Sequence, residues 1–167
     1  VEGGYHGSHD QVSVSVRTNP AKSGERTRPD SMPATEGLGE GTLDQVIVVP
    51  LNETAIAKQS LAENTDDLAA VIIEPMLGSV GMLPATSEFL TMLREFTIDN
   101  GIILIFDEVI SYRAAMGGCQ EYYGITPDMT SLGKIIGGGF SIGAFGGTKS
   151  IMDLYDPSQT GGPRVAH

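Results

Sequence analysis

Apolar residues in this chain come first in alternation and then in blocks. Val12, Val14 and Val16 alternate with Gln11, Ser13 and Ser15, a period of two that predicts a short strand with one buried face. Over residues 17–41 the periodicity disappears, and Pro20, Pro29, Pro33, Gly24, Gly37, Gly39 and Gly41 interrupt any element. A long surface loop is expected there, of the length that compact domains reserve for lids, binding loops or mobile segments. Order returns at Val46, Ile47, Val48 and Val49, a β-branched run stopped by Pro50. Residues 53–63, with Ile56, Ala57 and Leu61, suit a modest amphipathic helix. A second apolar run from Ala70 to Ile73 closes on Glu74 and Pro75. Thr86 or Ser87 then caps a helix whose Phe89, Leu93 and Phe96 recur at helical spacing until Asn100 and Gly101 stop it. Residues 102–106, Ile-Ile-Leu-Ile-Phe, form the third run.

Strand, helix, strand, helix, strand is the α/β pattern, with right-handed crossovers between parallel strands. Runs without polar interruption are those of strands buried on both faces, so a mostly parallel sheet covered by helices is expected. In such sheets ligands bind in the crevice beyond the carboxyl ends of the strands. Glu74 and Asp107 each follow directly on an apolar run, which sets two carboxylates to face one crevice.

Composition narrows the class. The 167 residues are 40% hydrophobic and 19% charged, with 10 Lys and Arg against 21 Asp and Glu. A net charge of −11 repels phosphate backbones and argues against nucleic acid or an anionic membrane as partner. No apolar run approaches the length that crosses a bilayer. The single cysteine, Cys119, has no internal disulfide partner, and a reducing, cytoplasmic setting fits. The chain opens on Val1 without an initiator methionine and stops just after a Gly/Pro loop. It is therefore expected to be a fragment, a trimmed small protein being the alternative.

Chemistry concentrates at Lys134, set in Ser131-Leu132-Gly133-Lys134-Ile135-Ile136-Gly137-Gly138-Gly139, with Asp107 twenty-seven positions upstream at a strand end. An amine that attacks a carbonyl needs an apolar or cationic setting, and flanking glycines allow backbone and ligand to approach closely. A strand-end carboxylate can keep a pyridine nitrogen protonated. Together they suggest a pyridoxal phosphate site. Taken singly, a lysine among glycines is also what a solvated loop charge looks like, and an Asp-Glu pair is also a helix cap.

Other chemistries fit less well. His6, His9 and Asp10 crowd one segment, but their spacing matches no standard zinc arrangement and the third histidine, His167, lies at the far end; no metal site is expected. No Gly-x-Ser-x-Gly elbow is present. Cys119, between Gly118 and Gln120, reads as a small packing residue. Gly137 to Gly139 follow the lysine instead of preceding it, which is the wrong order for a phosphate-binding P-loop.

Four motifs in order carry a resemblance: YHG (5–7), VIIEPMLGSVGMLP (71–84), GIILIFDEVISYR (101–113) and GGCQEYYGITPDMTSLGKIIGGGFSIGAFGG (117–147). They are similar to the central part of the large domain of class III pyridoxal-phosphate aminotransferases, fold type I, especially the branch of glutamate-1-semialdehyde aminomutase and the β-amino-acid aminotransferases. The likeness covers residues 1–14 and 69–167 and is most specific over 102–147.

The resemblance implies roles residue by residue. Lys134 matches the lysine that bonds to the cofactor and then shuttles a proton as general base and acid. Asp107 matches the carboxylate on the pyridine nitrogen. Val109 matches the aliphatic residue against one ring face and Tyr5 the aromatic on the other. His6 lies near the cofactor. Glu74 supports the site through hydrogen bonds, or simply caps the turn that follows it. Ile110 stands where many relatives carry Gln or Met, and Ser79 where ω-amino-donor enzymes carry Glu, which tilts the reading towards the aminomutase or β-amino-acid branch.

The resemblance also places the phosphate-gripping turn before Val1, a cross-interface threonine beyond His167, and the small domain outside the chain. The chain is thus expected to be a partial large domain, inactive alone. The expected activity is transfer of an amino group between an amino acid or amine and a carbonyl compound, by a homodimer when full length. A decarboxylase or racemase on the same scaffold, or a non-catalytic relic, are the alternatives.

Overall fold

The computed structural model describes residues 1–17, 19–39, 41–158 and 163–165. Its centre is a four-stranded sheet, two strands of which are the apolar blocks at 70–73 and 103–107 and two of which, at 129–132 and 144–147, were not predicted. After a two-residue hairpin of β1 (Gly24–Glu25) and β2 (Arg28–Pro29) comes helix α1 (Thr54–Ala62), which buries Ala57 and Leu61. Strand β3 (Ala70–Ile73) leads into a second small hairpin, β4 (Met76–Leu77) with β5 (Leu83–Pro84). Helix α2 (Ser87–Asn100) starts where Thr86 Oγ1 accepts the Phe89 N–H at 3.2 Å and ends at Gly101, in the left-handed region at φ +67°, a conformation that favours glycine.

Strand β6 (Ile103–Asp107) pairs parallel with β3, Ala70 opposite Ile103. The short helix α3 (Gly118–Tyr123) follows, then β7 (Met129–Leu132), parallel to β6 with Asp107 opposite Ser131. Strand β8 (Ala144–Gly147) closes the edge antiparallel to β7, and α4 (Lys149–Met152) follows it. The order β3-β6-β7-β8 is a mostly parallel α/β sheet.

Phe89, Leu90 and Leu93 of α2 pack with Ile73, Leu104 and Phe106 of the sheet, all fully buried. Burying each such side chain contributes roughly 1.5–3 kcal/mol, so this face anchors the strand ends that bear the site. The other face differs from expectation: Ile72, Ile103 and Ile105 are only half-buried. Beside them a slot of about 380 Å³ runs between β3 and residues 46–49, lined by Val46, Val48, Val71, Ile72 and Ile105 among others.

Two predicted strands are not strands. Residues 10–12 form a 3-10 turn, and beyond it only Val14 bridges, to Pro33. Ser15 adopts φ +53° and Arg17 φ +52°, which ends any extended run, and the Ser15 N–H donates to Met32 O while Ser13 O accepts from Ala34. Ser13, Val14 and Ser15 are all buried, so the alternation of side chains did not mark one wet and one dry face. Residues 46–49 bury Val48 and Val49 but pair with no strand among the described residues. Residues 17–41 hold only the β1–β2 hairpin and a 3-10 turn, Pro20–Lys22, within their described part.

Candidate active site

The carboxyl ends of β3, β6 and β7 lie side by side because the register is fixed across all three strands. Asp107, the last residue of β6, is 5% exposed. Its Oδ1 accepts the Val109 N–H at 3.1 Å, and its Oδ2 lies 2.8 Å from His6 Nδ1. Ser131, paired opposite Asp107 on β7, adds a smaller favourable contribution to its anion. Burial by itself pushes a carboxyl towards the neutral form, but the hydrogen bonds from His6 and Val109, the charge attraction of His6 and a smaller contribution from Ser131 outweigh it and hold Asp107 below the usual carboxylate range. Asp107 is thus a buried anion kept ionised by donors.

Glu74 is the matching carboxylate at the end of β3, 3% exposed. Oε1 accepts the Tyr5 N–H at 2.8 Å and Oε2 the Gly78 N–H at 3.1 Å. Glu74 thus accepts from the turn after β3 and from the Tyr5 segment at once. The strap around Tyr5 and His6 straddles the two strand ends, held to β3 by Glu74 and to β6 by Asp107. Gly4 makes this possible, since a Cβ there would lie 2.7 Å from His6 Nε2. Tyr5 itself is 44% exposed, an aromatic ring held at its backbone and open at its face.

Lys134 follows β7 and opens a 3-10 turn, Lys134–Gly137. It is exposed and adopts φ +44°, a region that costs a non-glycine residue of order 1–3 kcal/mol and that clusters at functional sites. Gly133 before it lets the β6 and β7 loops meet: a Cβ there would lie 3.3 Å from Val109 Cγ1. Asp107 thus ends β6 and Lys134 sits just past the end of the adjacent parallel strand β7, with Val109 against Gly133 between them.

Two residues escaped sequence reasoning. Ser131 sits within the Lys134 motif, yet its role depends on facing Asp107 across the ladder, which only the register reveals. Glu108 is fully buried and accepts the N–H groups of Cys119 (2.5 Å) and Gln120 (3.3 Å) and the Gln120 side-chain amide (3.1 Å). It ties the loop after Asp107 to the start of α3. The signal was the second acid of the Asp-Glu pair, which leaves the 3-10 turn Ser111–Ala114 that follows it without a side-chain cap.

The remaining candidates fall elsewhere. His9 pairs with Gln11 at 3.4 Å while His6 is taken by Asp107, and His167 lies outside the described residues. No group of three or more metal-ligand side chains occurs among the described residues. Cys119 is buried, its thiol pushed up by burial despite a hydrogen bond to Ser111 O, in keeping with a packing role. Ile110 lies against Gly78, where any Cβ would overlap its Cδ1.

Comparison with known proteins bears directly on this constellation. The profile of the class-III aminotransferases matches residues 1–163. The chain belongs to that family. Among curated class-III relatives, a glutamate-1-semialdehyde 2,1-aminomutase of Methanococcoides burtonii is 44% identical over 159 residues, covering 95% of this chain and 36% of the relative. That of Methanosarcina acetivorans is 46% identical over the same length. A solved ω-transaminase of Sphaerobacter thermophilus superimposes with a TM-score of 0.92 at 46% identity, covering 99% of this chain and 37% of that one. A glutamate-1-semialdehyde aminomutase of Pseudomonas aeruginosa, solved in complex with PMP, gives 0.71 at 26% identity, covering 96% and 35%. The class-III chain described here spans about a third of the length of the curated relatives it matches.

Proposed function

We propose that this chain supplies the ring-binding and proton-transferring part of a pyridoxal phosphate site. The protein would move amino groups between an amino acid or amine and a carbonyl compound, as an aminotransferase or a 2,1-aminomutase. One observation carries the reading: a buried carboxylate held ionised at the end of β6, in register with the strand that delivers an exposed lysine amine.

The residues present fit the group. An anionic Asp107 suits a ring nitrogen that must stay protonated, and the missing Cβ of Gly133 brings Val109 beside the lysine turn. When bound, pyridoxal phosphate supplies an electron sink that eases bond breaking at the substrate carbon. Asp107 would hold the proton on the ring nitrogen, while Val109 and Tyr5 flank the ring. Glu74 keeps the Tyr5 segment in place. Lys134 would bond to the cofactor and, once released by substrate, carry the proton at the reacting carbon. Aminomutases and a transaminase both stand among the relatives above 40% identity, which supports amino transfer without choosing between them.

Small-molecule donors and acceptors follow from this reading. A homodimer is also proposed, supported by Phe140, Ile142 and Phe145, large apolar residues left exposed beside the lysine turn; light scattering of the full-length protein tests it. No helix among the described residues is long and apolar enough to cross a membrane.

The deciding experiment is reductive trapping. Full-length protein is incubated with pyridoxal phosphate, reduced with borohydride, digested and mapped by mass spectrometry. The expected adduct lies on Lys134 and vanishes in Lys134→Ala. Trapping at other lysines, or none, refutes the reading; trapping at Lys134 with only carbon dioxide release or racemisation replaces transfer by those reactions.

A further inference from the structure

Two aliphatic residues stand in succession in the loop after Asp107, and each covers the bare face of a glycine. Val109 does so on the β7 side, where a Cβ on Gly133 would lie 3.3 Å from its Cγ1 and 3.4 Å from its Cγ2. Ile110 does so on the β3 side, where a Cβ on Gly78 would overlap its Cδ1 and lie 3.3 Å from its Cγ1. The loop is thus wedged between the turn that bears Lys134 and the 3-10 turn Gly78–Val80 that follows β4. That second turn also meets the strap. Glu74 accepts the Gly78 N–H through Oε2 and the Tyr5 N–H through Oε1, and a Cβ on Gly3 would lie 3.3 Å from Leu77 Cδ2 and 3.4 Å from Val80 Cγ1. Tyr5 is therefore tied to the turn through Glu74, and Val109 through its neighbour Ile110.

We propose that Ile110 is a positioning residue: seated on Gly78, it sets the gap between Val109 and Tyr5, and with it the fit of a flat ring between them. That the gap takes a cofactor ring rests on the proposed function; the seating of Ile110 does not. A ring held on both faces needs about 7–8 Å between the atoms that flank it, twice the ordinary carbon contact. A shift of roughly 0.5–1 Å forfeits a quarter to a half of such a contact, so the spacer has little latitude. Gly78 is not among the residues with positive φ, and alanine suits its backbone. Beyond Ile110, the nearest atom to an added Cβ is Glu74 Oε2 at 3.5 Å, an ordinary contact. What alanine meets at position 78 is therefore Ile110. Ile110→Val removes Cδ1, the atom that the new Cβ would overlap, and keeps both Cγ atoms. Combining Gly78→Ala with Ile110→Val thus moves one methyl group across the contact at nearly constant volume, an exchange that packed interiors tolerate.

The test uses the full-length protein. Without cofactor, a nuclear Overhauser contact between the Ile110 δ1-methyl and the Gly78 α-protons is expected, and its absence overturns the proposal. With pyridoxal phosphate, the dissociation constant is measured by absorbance titration and the fixing of the ring by visible circular dichroism. Gly78→Ala should weaken cofactor binding about tenfold, the lower end of an overpacking cost, and change the ellipticity of the cofactor band. Ile110→Val should weaken binding about threefold, the effect of one missing methyl. The double variant should return to within about twofold of wild type and recover the ellipticity, as expected of a volume-conserving exchange. A contact that only held the fold together would lower the melting temperature and leave affinity and ellipticity alone. Where Gly78→Ala does not fold, the double variant decides, since it must fold and bind like wild type. Wild-type affinity in Gly78→Ala, or a double variant that binds no better than Gly78→Ala, overturns the proposal. Failure of trapping at Lys134 in the wild type strikes the proposed function; successful trapping beside an unmoved affinity strikes the spacer alone.

Discussion

Truncating Glu108 to alanine removes the acceptor that three donors share. Cys119 N–H and Gln120 N–H, at 2.5 and 3.3 Å, are backbone groups with no second partner among the described residues, while the Gln120 side-chain amide keeps Thr130 Oγ1 within 3.4 Å. Each buried backbone donor left unpaired costs about 1–3 kcal/mol. Removing the carboxylate also removes the cost of burying its charge, which offsets part of the loss, and the vacated volume adds to it. The net destabilisation expected is about 3 kcal/mol, a lowering of the melting temperature by about 6–12 °C for a chain of this size. Urea unfolding followed by circular dichroism measures it, and amide hydrogen exchange at Cys119 and Gln120 should accelerate. Glu108→Gln, which keeps one acceptor oxygen, should fall between wild type and Ala. A loss below about 1 kcal/mol in Glu108→Ala, with exchange at Cys119 unchanged, would refute the claim that this carboxylate ties the Asp107 loop to α3.

Two further predictions concern the site. Because the folded state holds Asp107 below the ordinary carboxylate range, its ionisation stabilises the fold above that range, and the contribution is lost as pH falls through the lowered folded value. The stability gap between wild type and Asp107→Asn should therefore be constant near neutral pH and shrink on acidification in a urea series; a gap that widens with acid contradicts it. Lys134 adopts φ +44°, so Lys134→Gly should be more stable than Lys134→Ala by about 0.5–1 kcal/mol, the left-handed strain relieved less the added chain entropy. Equal midpoints for the two variants would show that the turn carries no strain.

The fold was legible where burial is simple. Residues 70–73, 87–100 and 103–107 became β3, α2 and β6 because a continuous apolar run or a 3.6-residue period states how much of each element is covered. Val12, Val14 and Val16 misled because alternation records side-chain polarity, whereas the backbone bonds of Ser13 and Ser15 go to Met32 and Ala34 in a distant loop. Residues 46–49 have strand composition, but a strand exists only opposite a partner. At the site, Asp107 and Glu74 could be placed because each adjoins a predicted strand end, and Lys134 by its glycine-flanked motif, whereas the strand that delivers it, β7, was not predicted. The strap from Tyr5 to His6 was known by type and not by attachment, since its bonds to Glu74 and Asp107 cross separations of 69 and 101 residues. Ser131 and Glu108 needed the register and the loop path, neither of which a pattern of types records.

Along the slot beside β3 the sheet stays unfinished on one side: β3 is paired only to β6 among the described residues, and valines from 46–49 form the far wall. Apart from Ile72 O, which accepts from the Val1 amine at 3.4 Å, this is an open strand edge next to a greasy surface, which folded proteins go to lengths to conceal because it templates the addition of foreign chain. The practical outcome is stickiness. Concentrated samples will lose material first through that flank, long before the helix-covered face gives way.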